Sequence, residues 1–452
     1  MMRAIQDNPD FVTQGTAKGI TATIIPRSEH GISRRDISDA ALKVLYKLDR
    51  EGYRACLVGG GVRDLLLGRK PKDFDVATDA TPDEVRALFR NCRLIGRRFR
   101  LAHVHFGREI IEVATFRAMV ADSPKTELNE DGRLLRDNTF GSIEEDALRR
   151  DFTVNALYYD IHDFSVIDYA GGMEDIRRRR LRLIGDPETR YKEDPVRMMR
   201  ALRFAAKLDF EIDPAASEAI HDWGHLLADI PPARLYDEIL KMFHSGHALR
   251  AYELLREYHL LQYLFPSLDR YLRSDPSEVM LDFIEQALVN TDKRVREDKP
   301  VSPAFIFAAL LWPLVHQRAI QLQSKEMGTI PALQSAGSEI FADQVRRIAV
   351  PRRFSLIAKT IWNLQPRFTN TRGKQPLRLM AHPNFRAAYD FFCIQSMVGL
   401  TPHKLCEWWT LFQEDNPQIA AARKPASQKP RRRRRRKPPS REGRDRREAE
   451  NG

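Results

Sequence analysis

One short stretch constrains this chain more than any other: three consecutive glycines join a predicted strand to a predicted helix. Gly59-Gly60-Gly61 lies between an apolar segment, 53–58, that predicts a buried strand and a segment, 62–67, that predicts a helix. Amides without a neighbouring Cβ at a helix N-terminus can cradle phosphate. The spacing is neither Gly-x-Gly-x-x-Gly nor Walker A. A plain strand-to-helix turn is the alternative.

Two aspartates, Asp73 and Asp75, belong to the next predicted strand, around residues 74–77. Side chains alternate along a strand, so both carboxylates are expected on one face, with Cα atoms about 6.6 Å apart. Carboxylates at this spacing can converge on magnesium, which binds few carboxylates together with substrate oxygens. An isolated Asp-x-Asp is also common in turns. The glycine turn that precedes the pair is therefore what favours a magnesium site over an ordinary turn.

The order of the predicted elements indicates a mixed α/β domain followed by helices. Strands are predicted at 93–96, 102–106 and 110–116, close enough together to pair antiparallel, and helical spacing dominates from about residue 195. We therefore expect a flexible lead-in (1–34), an α/β head (35–160), a helical neck (161–230), an all-α body (231–416) and a disordered basic tail (417–452).

The positive charge of the chain is concentrated in that tail. The formal charge is +12, and residues 421–452 contribute +10 of it, with 14 Lys and Arg against 4 Asp and Glu. A basic arm of this kind usually binds a polyanion, and nucleic acid is the first candidate ahead of an anionic membrane surface. The predicted RNA-binding residues are Arg431, Arg432, Arg433, Arg434, Arg435, Arg436 and Lys437. A solvated tail without a partner is the alternative.

Cysteine spacing and hydropathy favour a cytoplasmic protein. The four cysteines (Cys56, Cys92, Cys393 and Cys406) are far apart and form no Cys-x-x-Cys pair, which argues against a disulfide framework or a zinc ribbon. No apolar run approaches the roughly 20 residues that cross a bilayer. Residues 1–10 lack the apolar centre of a secretory signal. We expect no transmembrane segment.

In its motifs and their order the chain resembles the class II nucleotidyltransferase superfamily, which contains the bacterial poly(A) polymerases and the tRNA CCA-adding enzymes. After Gly-Gly-x-Val-Arg-Asp and Asp-x-Asp, four further stretches match in order: EVATFR (112–117), RRDFTVNA (149–156), DYAGGMED (168–175) and EDPVRMMR (193–200). The resemblance covers about residues 36–240. It implies a polymerase-β-like α/β nucleotidyltransferase head, then an all-α neck, body and tail, with a disordered basic C-terminus.

The resemblance also implies roles for individual residues. Asp73 and Asp75 are the expected ligands of two Mg²⁺ ions, which Mn²⁺ can replace. The third carboxylate is Glu112 or Asp151, because both match family positions, although a salt bridge or helix cap would also explain Asp151. The expected nucleotide-binding residues are Gly59, Gly60, Arg63, Arg150, Asn155, Asp194, Arg197 and Arg200. Helix capping is the alternative role of Asp194.

The implied reaction is attack of an RNA 3′ hydroxyl on the α-phosphate of ATP, without a template. Residues 94–104 resemble a stretch typical of bacterial poly(A) polymerases, the Gly-x-x-His-Gly-Thr strand of CCA-adding enzymes is missing, and a basic arm suits varied single strands. The expected partners are RNA 3′ ends, ATP and RNA-degradation machinery. A CCA-adding enzyme and a non-catalytic RNA-binding protein on the same fold are the alternatives. For His103 and His105 we expect packing or RNA contact rather than metal binding.

Overall fold

A computed structural model describes residues 13–15, 21–96, 100–118, 127–128, 134–136, 140–274 and 276–422. The chain divides into two units, residues 1–359 and residues 360–452. The first unit contains every described residue of the predicted site. The predicted tail residues Arg431–Lys437 lie outside the described residues.

A mixed β-sheet forms the framework of the first unit. The strands of the chain are β1 (Thr13–Gly15), β2 (Thr21–Ile25), β3 (Ala55–Val58), β4 (Asp75–Thr78), β5 (Cys92–Ile95), β6 (Leu101–Phe106), β7 (Glu109–Thr115), β8 (Glu127–Leu128), β9 (Leu134–Arg136), β10 (Leu157–Asp160), β11 (Val166–Asp168), β12 (Arg180–Leu181) and β13 (Glu211–Ile212). Nine of them form one sheet in the order β1-β2-β11-β10-β3-β4-β7-β6-β5. Neighbours pair antiparallel except β4 and β7, which are parallel.

Helices cover the two faces of this sheet and build two apolar cores. The helices of the head are α1 (Asp39–Arg50), α2 (Gly60–Leu66), α3 (Pro82–Leu88), α4 (Ile143–Leu148) and α5 (Gly172–Arg177). On one face, Val44 of α1 and Val85 of α3 belong to a core with Val76 and Val113 of the sheet. On the other face, α4 packs in a second core with residues of β3, β4, β10 and β11. The predicted site lies at this second face.

The rest of the first unit is helical apart from the short β12–β13 pair. Its helices are α6 (Pro187–Glu193), α7 (Val196–Leu208), α8 (Pro214–Trp223), α9 (Pro232–Phe243), α10 (Ala248–Glu257), α11 (Leu261–Leu264), α12 (Pro266–Arg273), α13 (Glu278–Arg296), α14 (Pro303–Gln323) and α15 (Thr329–Arg347). Among the described helices, α14 alone is long and apolar enough to cross a membrane, which the sequence reading overlooked. Its apolar window is 67 % buried inside the protein, as is usual for a core helix.

The second unit has its own aromatic core. It contains α17 (Gln375–Met380), α18 (Phe385–Met397), α19 (His403–Asp415) and α20 (Pro417–Ala422), and α16 (Arg352–Leu364) crosses the boundary between the units. Trp409 is fully buried and donates a hydrogen bond of 2.8 Å to the carbonyl of Phe368. A disulfide joins Cys393 to Cys406. The expectation drawn from cysteine spacing was therefore wrong for this pair, because α18 and α19 fold back on each other and bring distant cysteines together.

Helix ends in the head follow local capping signals, whereas several segments differ from the sequence prediction. Ser38 caps α1, and Thr81 forms a capping box at α3. Residues 21–25, expected in a flexible lead-in, form β2, and the sheet of the head continues to β11, beyond residue 160. Residues Pro417–Ala422, expected to open the disordered tail, form α20. These differences share a cause: short apolar strands and helices at the ends of a domain gain order from tertiary pairing rather than from local signals.

Candidate active site

The predicted carboxylates meet where β4 pairs with β7. Asp75, the first residue of β4, is the register partner of Glu112, so their backbones lie about 4.8 Å apart on neighbouring strands. Asp73 precedes the strand by two residues rather than lying in it. Both aspartates are exposed, whereas Phe74 and Val76 are buried. The carboxylates therefore project from a segment whose alternate side chains anchor it in the core.

The pKa of Asp75 reflects its burial and the carboxylates beside it. Burial by the surrounding protein and the nearby Glu112 carboxylate raise the pKa of Asp75 to about 6, and Asp73 acts in the same direction, while Arg150 opposes the rise. The side chain still reaches solvent on one side. A cation beside it would favour the ionised form. Among the described residues no group of three or more His, Cys, Asp or Glu has metal-binding geometry, so Asp73, Asp75 and Glu112 could hold a metal only with oxygens supplied by a ligand.

The glycine turn lies directly against the aspartates. Gly59 has a φ of +72°, which glycine adopts without steric cost, and it follows Val58, the register partner of Asp75. A Cβ on Gly61 would lie 3.6 Å from the backbone oxygen of Asp73, and one on Gly59 would lie 3.5 Å from Nη1 of Arg150. The turn, the aspartates and this guanidinium therefore border one space, with the free amides at the start of α2 beside it.

Arg150 is oriented toward that space by two buried side chains. Its Nε and Nη2 donate hydrogen bonds to Oδ2 of Asp146 at 3.2 and 2.9 Å, and Nε also donates to the Tyr158 hydroxyl at 3.0 Å. The Tyr158 hydroxyl donates to the same Asp146 oxygen at 2.6 Å. These contacts hold the guanidinium so that Nη1 faces Gly59. The arrangement suits binding of an anion between the glycine turn and Arg150.

Arg63, predicted to contact a nucleotide, is turned into the protein and only 2 % exposed. Its Nε and Nη2 donate to Oδ1 of Asp64 at 2.9 and 2.6 Å, and Nη1 donates to Oδ1 of Asn155 at 2.5 Å. The guanidinium also lies 5.3 Å from the ring centre of Phe204 in α7. In this arrangement Arg63 fixes α2 and Asn155 against α7. The nucleotide contacts of Arg63 and Asn155 stay predictions.

Asp151 has both carboxylate oxygens engaged. Oδ2 accepts hydrogen bonds from Nε and Nη2 of Arg200 at 2.8 and 2.5 Å. Oδ1 accepts from the Phe152 amide at 2.8 Å and from Nδ2 of Asn155 at 3.2 Å. Burial favours the protonated acid, but the Arg200 guanidinium and these donors hold the pKa of Asp151 below its usual value. Asp151 is thus a half-buried anion that orients Arg200 and Asn155, whereas Glu112 is the carboxylate that faces Asp75.

Asp194 also has two partners at the start of α7. Oδ1 accepts from the Val196 amide at 3.3 Å, but the N-cap of α7 is Pro195, so Asp194 lies one residue before the predicted cap position. Oδ2 accepts from Nη2 of Arg234, in α9, at 2.6 Å. One Asp194 oxygen is therefore held by an arginine that no sequence motif indicated.

Arg197 and Arg190 connect α6, α7 and the head. Nη1 of Arg197 donates to Oε2 of Glu193 and to the Arg190 carbonyl, both at 2.8 Å. Nη2 of Arg190 in turn donates to the carbonyls of Arg149 and Arg150 at 2.8 and 2.6 Å. The start of α7, which carries the predicted nucleotide-binding residues Arg197 and Arg200, is therefore tied to the backbone of Arg150, the arginine that faces the glycine turn.

Sequence reasoning missed four residues that organise this site: Asp146, Tyr158, Arg190 and Arg234. Asp146 precedes Arg150 by four residues next to a predicted helix, a spacing typical of ion pairs, and could have been found from it. The other three carry no local signal, because their partners are distant in the sequence and only the tertiary fold brings them close.

Comparison with known proteins identifies related families along most of the chain. Residues 55–182 match the family described as the poly A polymerase head domain. Residues 209–272 match the family described as the probable RNA and SrmB-binding site of polymerase A. Residues 325–442 match the arginine-rich C-terminus of polymerase A.

Individual relatives agree with these matches. Poly(A) polymerase I of Salmonella typhi is 52 % identical over 402 residues, which span 87 % of this chain and 86 % of the relative. A CCA-adding enzyme of Bacillus pumilus is 39 % identical over 251 residues, which span 54 % and 60 %. Among solved structures, the Bacillus stearothermophilus CCA-adding enzyme in complex with CTP aligns with a TM-score of 0.59 and 28 % identity over 85 % of this chain and 84 % of the other.

Proposed function

The chain belongs to the bacterial poly(A) polymerase family, and we propose that it adds AMP from ATP to RNA 3′ ends without a template, releasing pyrophosphate in support of RNA processing and decay. It is thus a polynucleotide adenylyltransferase. The observation that carries this proposal is the pairing of Asp75 with Glu112 directly beside the glycine turn. Phosphoryl transfer needs carboxylates for cations and positive groups for the phosphate chain, and both lie at this place.

We propose that Asp73, Asp75 and Glu112 hold two Mg²⁺ ions, which Mn²⁺ can replace. The donor set fits Mg²⁺ because it consists of oxygens alone. Burial and the neighbouring Glu112 carboxylate raise the pKa of Asp75 to about 6, and a bound cation would favour the ionised form. When bound, the ions supply charge that stabilises the attacking and leaving oxygens. Asp151 is not included among the metal ligands because both of its carboxylate oxygens accept hydrogen bonds from other protein groups.

The same pKa sets the pH dependence of metal binding. A raised carboxylate pKa means that Asp75 is ionised above about pH 6 and protonated below it. Since protons compete with the metal, the affinity for Mg²⁺ in the presence of a non-hydrolysable ATP analogue should fall roughly ten-fold per pH unit below that value. Titration of Mg²⁺ at several pH values, with Asp75→Asn as the control, checks this. Affinity independent of pH between about 5 and 8 would contradict it.

The protein groups around the metals have separate tasks in this proposal. The Gly60 amide and the Nη1 of Arg150 bind the triphosphate and stabilise the charge on departing pyrophosphate. The Gly59 amide donates to the carbonyl of Leu157 at 3.4 Å, so Gly59 contributes through the open backbone of the turn. Arg63, Asn155, Asp151 and Arg200 form a connected hydrogen-bond chain from α2 to α7. We propose that this chain sets the distance between the triphosphate and the helix that reads the base.

Selection of ATP over CTP follows from how Asp194 is held. Adenine and cytosine both offer an amino donor next to a ring acceptor, so a freely moving aspartate and Arg197 would accept either. Arg234 fixes one Asp194 oxygen, and we propose that this leaves a pocket fitted to the larger base. Arg234→Ala should raise kcat/KM for CTP relative to ATP by about ten-fold.

Steady-state rates with each nucleotide measure this effect. Arg250→Ala, which removes a comparably exposed arginine with its own ion pair to Glu253, is the matched control and should leave the ratio unchanged. An unchanged ratio in Arg234→Ala would exclude the proposed role.

The basic tail is proposed to hold RNA of varied sequence. Truncation after Ala422 should weaken RNA binding and, if about five phosphate contacts are lost, lower the slope of log K against log salt by about 3.5. RNA binding measured at several salt concentrations checks this, with ATP affinity as the control. An unchanged slope would rule out the role.

We further propose that the protein is located in the cytoplasm and that RNA-degradation machinery is a protein partner.

One experiment tests the function against its alternatives. The protein is offered a short unstructured RNA and a tRNA that lacks its CCA end, with each NTP separately. Long extension of the unstructured RNA with ATP alone is the expected result. Addition of C to the tRNA with CTP, without extension of the unstructured RNA by ATP, would indicate a CCA-adding enzyme. Failure to extend any RNA, despite binding it, would indicate a non-catalytic RNA-binding protein.

A further inference from the structure

Among the described residues, the apolar core on the sheet face that carries Asp75 covers one half of that face; the other half, formed by β5, β6 and β7, is called the open half. The second core covers the face from β2 to β4, and that core includes no described residue of β5, β6 or β7. On the open half Ile95 is 46 % exposed and Ile110 is 44 % exposed. The two isoleucines lie in separate rows of the sheet, on either side of the row that contains Arg93 and His103. The carboxylates stand at the border between the two halves.

A row of side chains crosses the open half directly from Asp75. The register pairs Asp75 with Glu112, Glu112 with His103 and His103 with Arg93. With strands 4.7–4.9 Å apart, His103 begins about 10 Å and Arg93 about 14 Å from Asp75. The row therefore changes from acidic residues at the site to an exposed arginine at the edge strand.

The histidine of this row contacts the carboxylate next to the reaction. Nε2 of His103 lies 3.4 Å from Oε2 of Glu112, and the His103 side chain is 22 % exposed. His105 pairs with Ile110 in the adjacent row on the same face, but its Nε2 is buried and so is not offered to a ligand. Imidazole rings and aliphatic groups beside a guanidinium are suited to the bases, riboses and phosphates of a single strand.

We propose that this surface, formed by Arg93, Ile95, His103 and Ile110 and called the primer face, binds the last nucleotides of the RNA that is extended. The inference rests on the proposed function. The glycine turn places the triphosphate on the β3 side of Asp75, and displacement in line requires the attacking hydroxyl on the side away from the leaving pyrophosphate. The primer face lies on that side, beyond β7.

Two residues of the primer face have distinct tasks. His103 is a positioning residue that holds Glu112 toward Asp75 and borders the terminal ribose. Arg93, one strand further out, binds the phosphate of the preceding nucleotide. The 3′ hydroxyl of the RNA then attacks the α-phosphorus of ATP, the bond to the bridging oxygen breaks, pyrophosphate leaves with that electron pair, and the hydroxyl proton is lost from the site.

Kinetics of Arg93→Gln and His103→Gln test the proposal. Both variants should raise KM for a short RNA about ten-fold or more, with KM for ATP changed less than about two-fold, and His103→Gln should also lower kcat. Arg178→Gln, which removes an exposed arginine directly after α5 on the same domain, is the matched control and should change neither constant. If both variants keep the KM for RNA, the primer face is refuted even though the enzyme polyadenylates.

Photo-crosslinking gives a readout that does not depend on activity. A short RNA with 4-thiouridine at its 3′ end and at the preceding position is irradiated on the full-length protein. Crosslinked peptides from residues 92–96 and 101–112 are expected, and Arg93→Gln should reduce their yield. Crosslinks confined to other segments, such as 209–272, would overturn the inference. If the wild-type protein forms these crosslinks but adds no AMP to the RNA, the proposed function is refuted instead.

Discussion

Asp75→Asn is expected to reduce the rate of nucleotide addition by at least about 10³-fold. Asparagine keeps the shape of the side chain but removes the charge that a metal needs. Asp73→Asn should have an effect of the same order, because no other described carboxylate near Asp75 is available except Glu112. Extension of a short RNA with ATP and Mg²⁺, followed on a gel, measures both losses.

The loss should not come from unfolding. The pKa of Asp75 is raised to about 6 because burial and the nearby Glu112 and Asp73 carboxylates disfavour its ionised form in the folded protein. A neutral Asn at this position removes that cost at neutral pH. The melting temperature of Asp75→Asn should therefore equal or exceed that of the wild type. Asp83→Asn, which neutralises an exposed carboxylate in α3, is the control and should keep full activity. Extension that survives replacement of both Asp73 and Asp75 would show that the site is misassigned.

Asp151→Ala should lower the free energy of unfolding by about 3–5 kcal/mol, because it leaves the guanidinium of Arg200 without its carboxylate. Asn155 and the Phe152 amide lose an acceptor as well. The pKa of Asp151 is lowered in the fold, so its contribution is present at neutral pH and is lost as the pH falls through that lowered value. Urea denaturation at neutral and acidic pH measures the change.

A double-mutant cycle separates this ion pair from a general loss of packing. Arg200→Ala in the Asp151→Ala background should cost much less than in the wild type, since the partner is already absent. Additive losses would show that the two residues do not act together. The same variants should raise KM for ATP, because the chain from Arg63 to Arg200 is broken between the two ends of the nucleotide site.

The parts of the fold that sequence predicted best are those with a local cause. Ser38 and Thr81 cap their helices because a side-chain oxygen at that position satisfies free amides. Glycines before α2 predicted the turn, and alternation around Phe74 predicted two exposed aspartates. Poly(A) polymerase as the family, and the α/β head followed by helices, are confirmed by the relatives and by the sheet itself.

The parts that sequence could not predict depend on pairing between distant segments. Whether Glu112 or Asp151 faces Asp75 was undecidable from the motifs, because only the parallel register of β4 with β7 shows it. The Asp194–Arg234 ion pair joins residues 40 positions apart. The open half of the sheet face is likewise a property of what packs against the sheet, and no local pattern encodes it.

Calorimetric titration of Mg²⁺ into the protein, with a non-hydrolysable ATP analogue present, tests the central claim most directly. Wild-type protein should take up Mg²⁺ only when the nucleotide is bound, and Asp75→Asn should lose most of that uptake. Absence of uptake by the wild type, or equal uptake by the variant, would contradict the assignment of this carboxylate pair as the catalytic metal site.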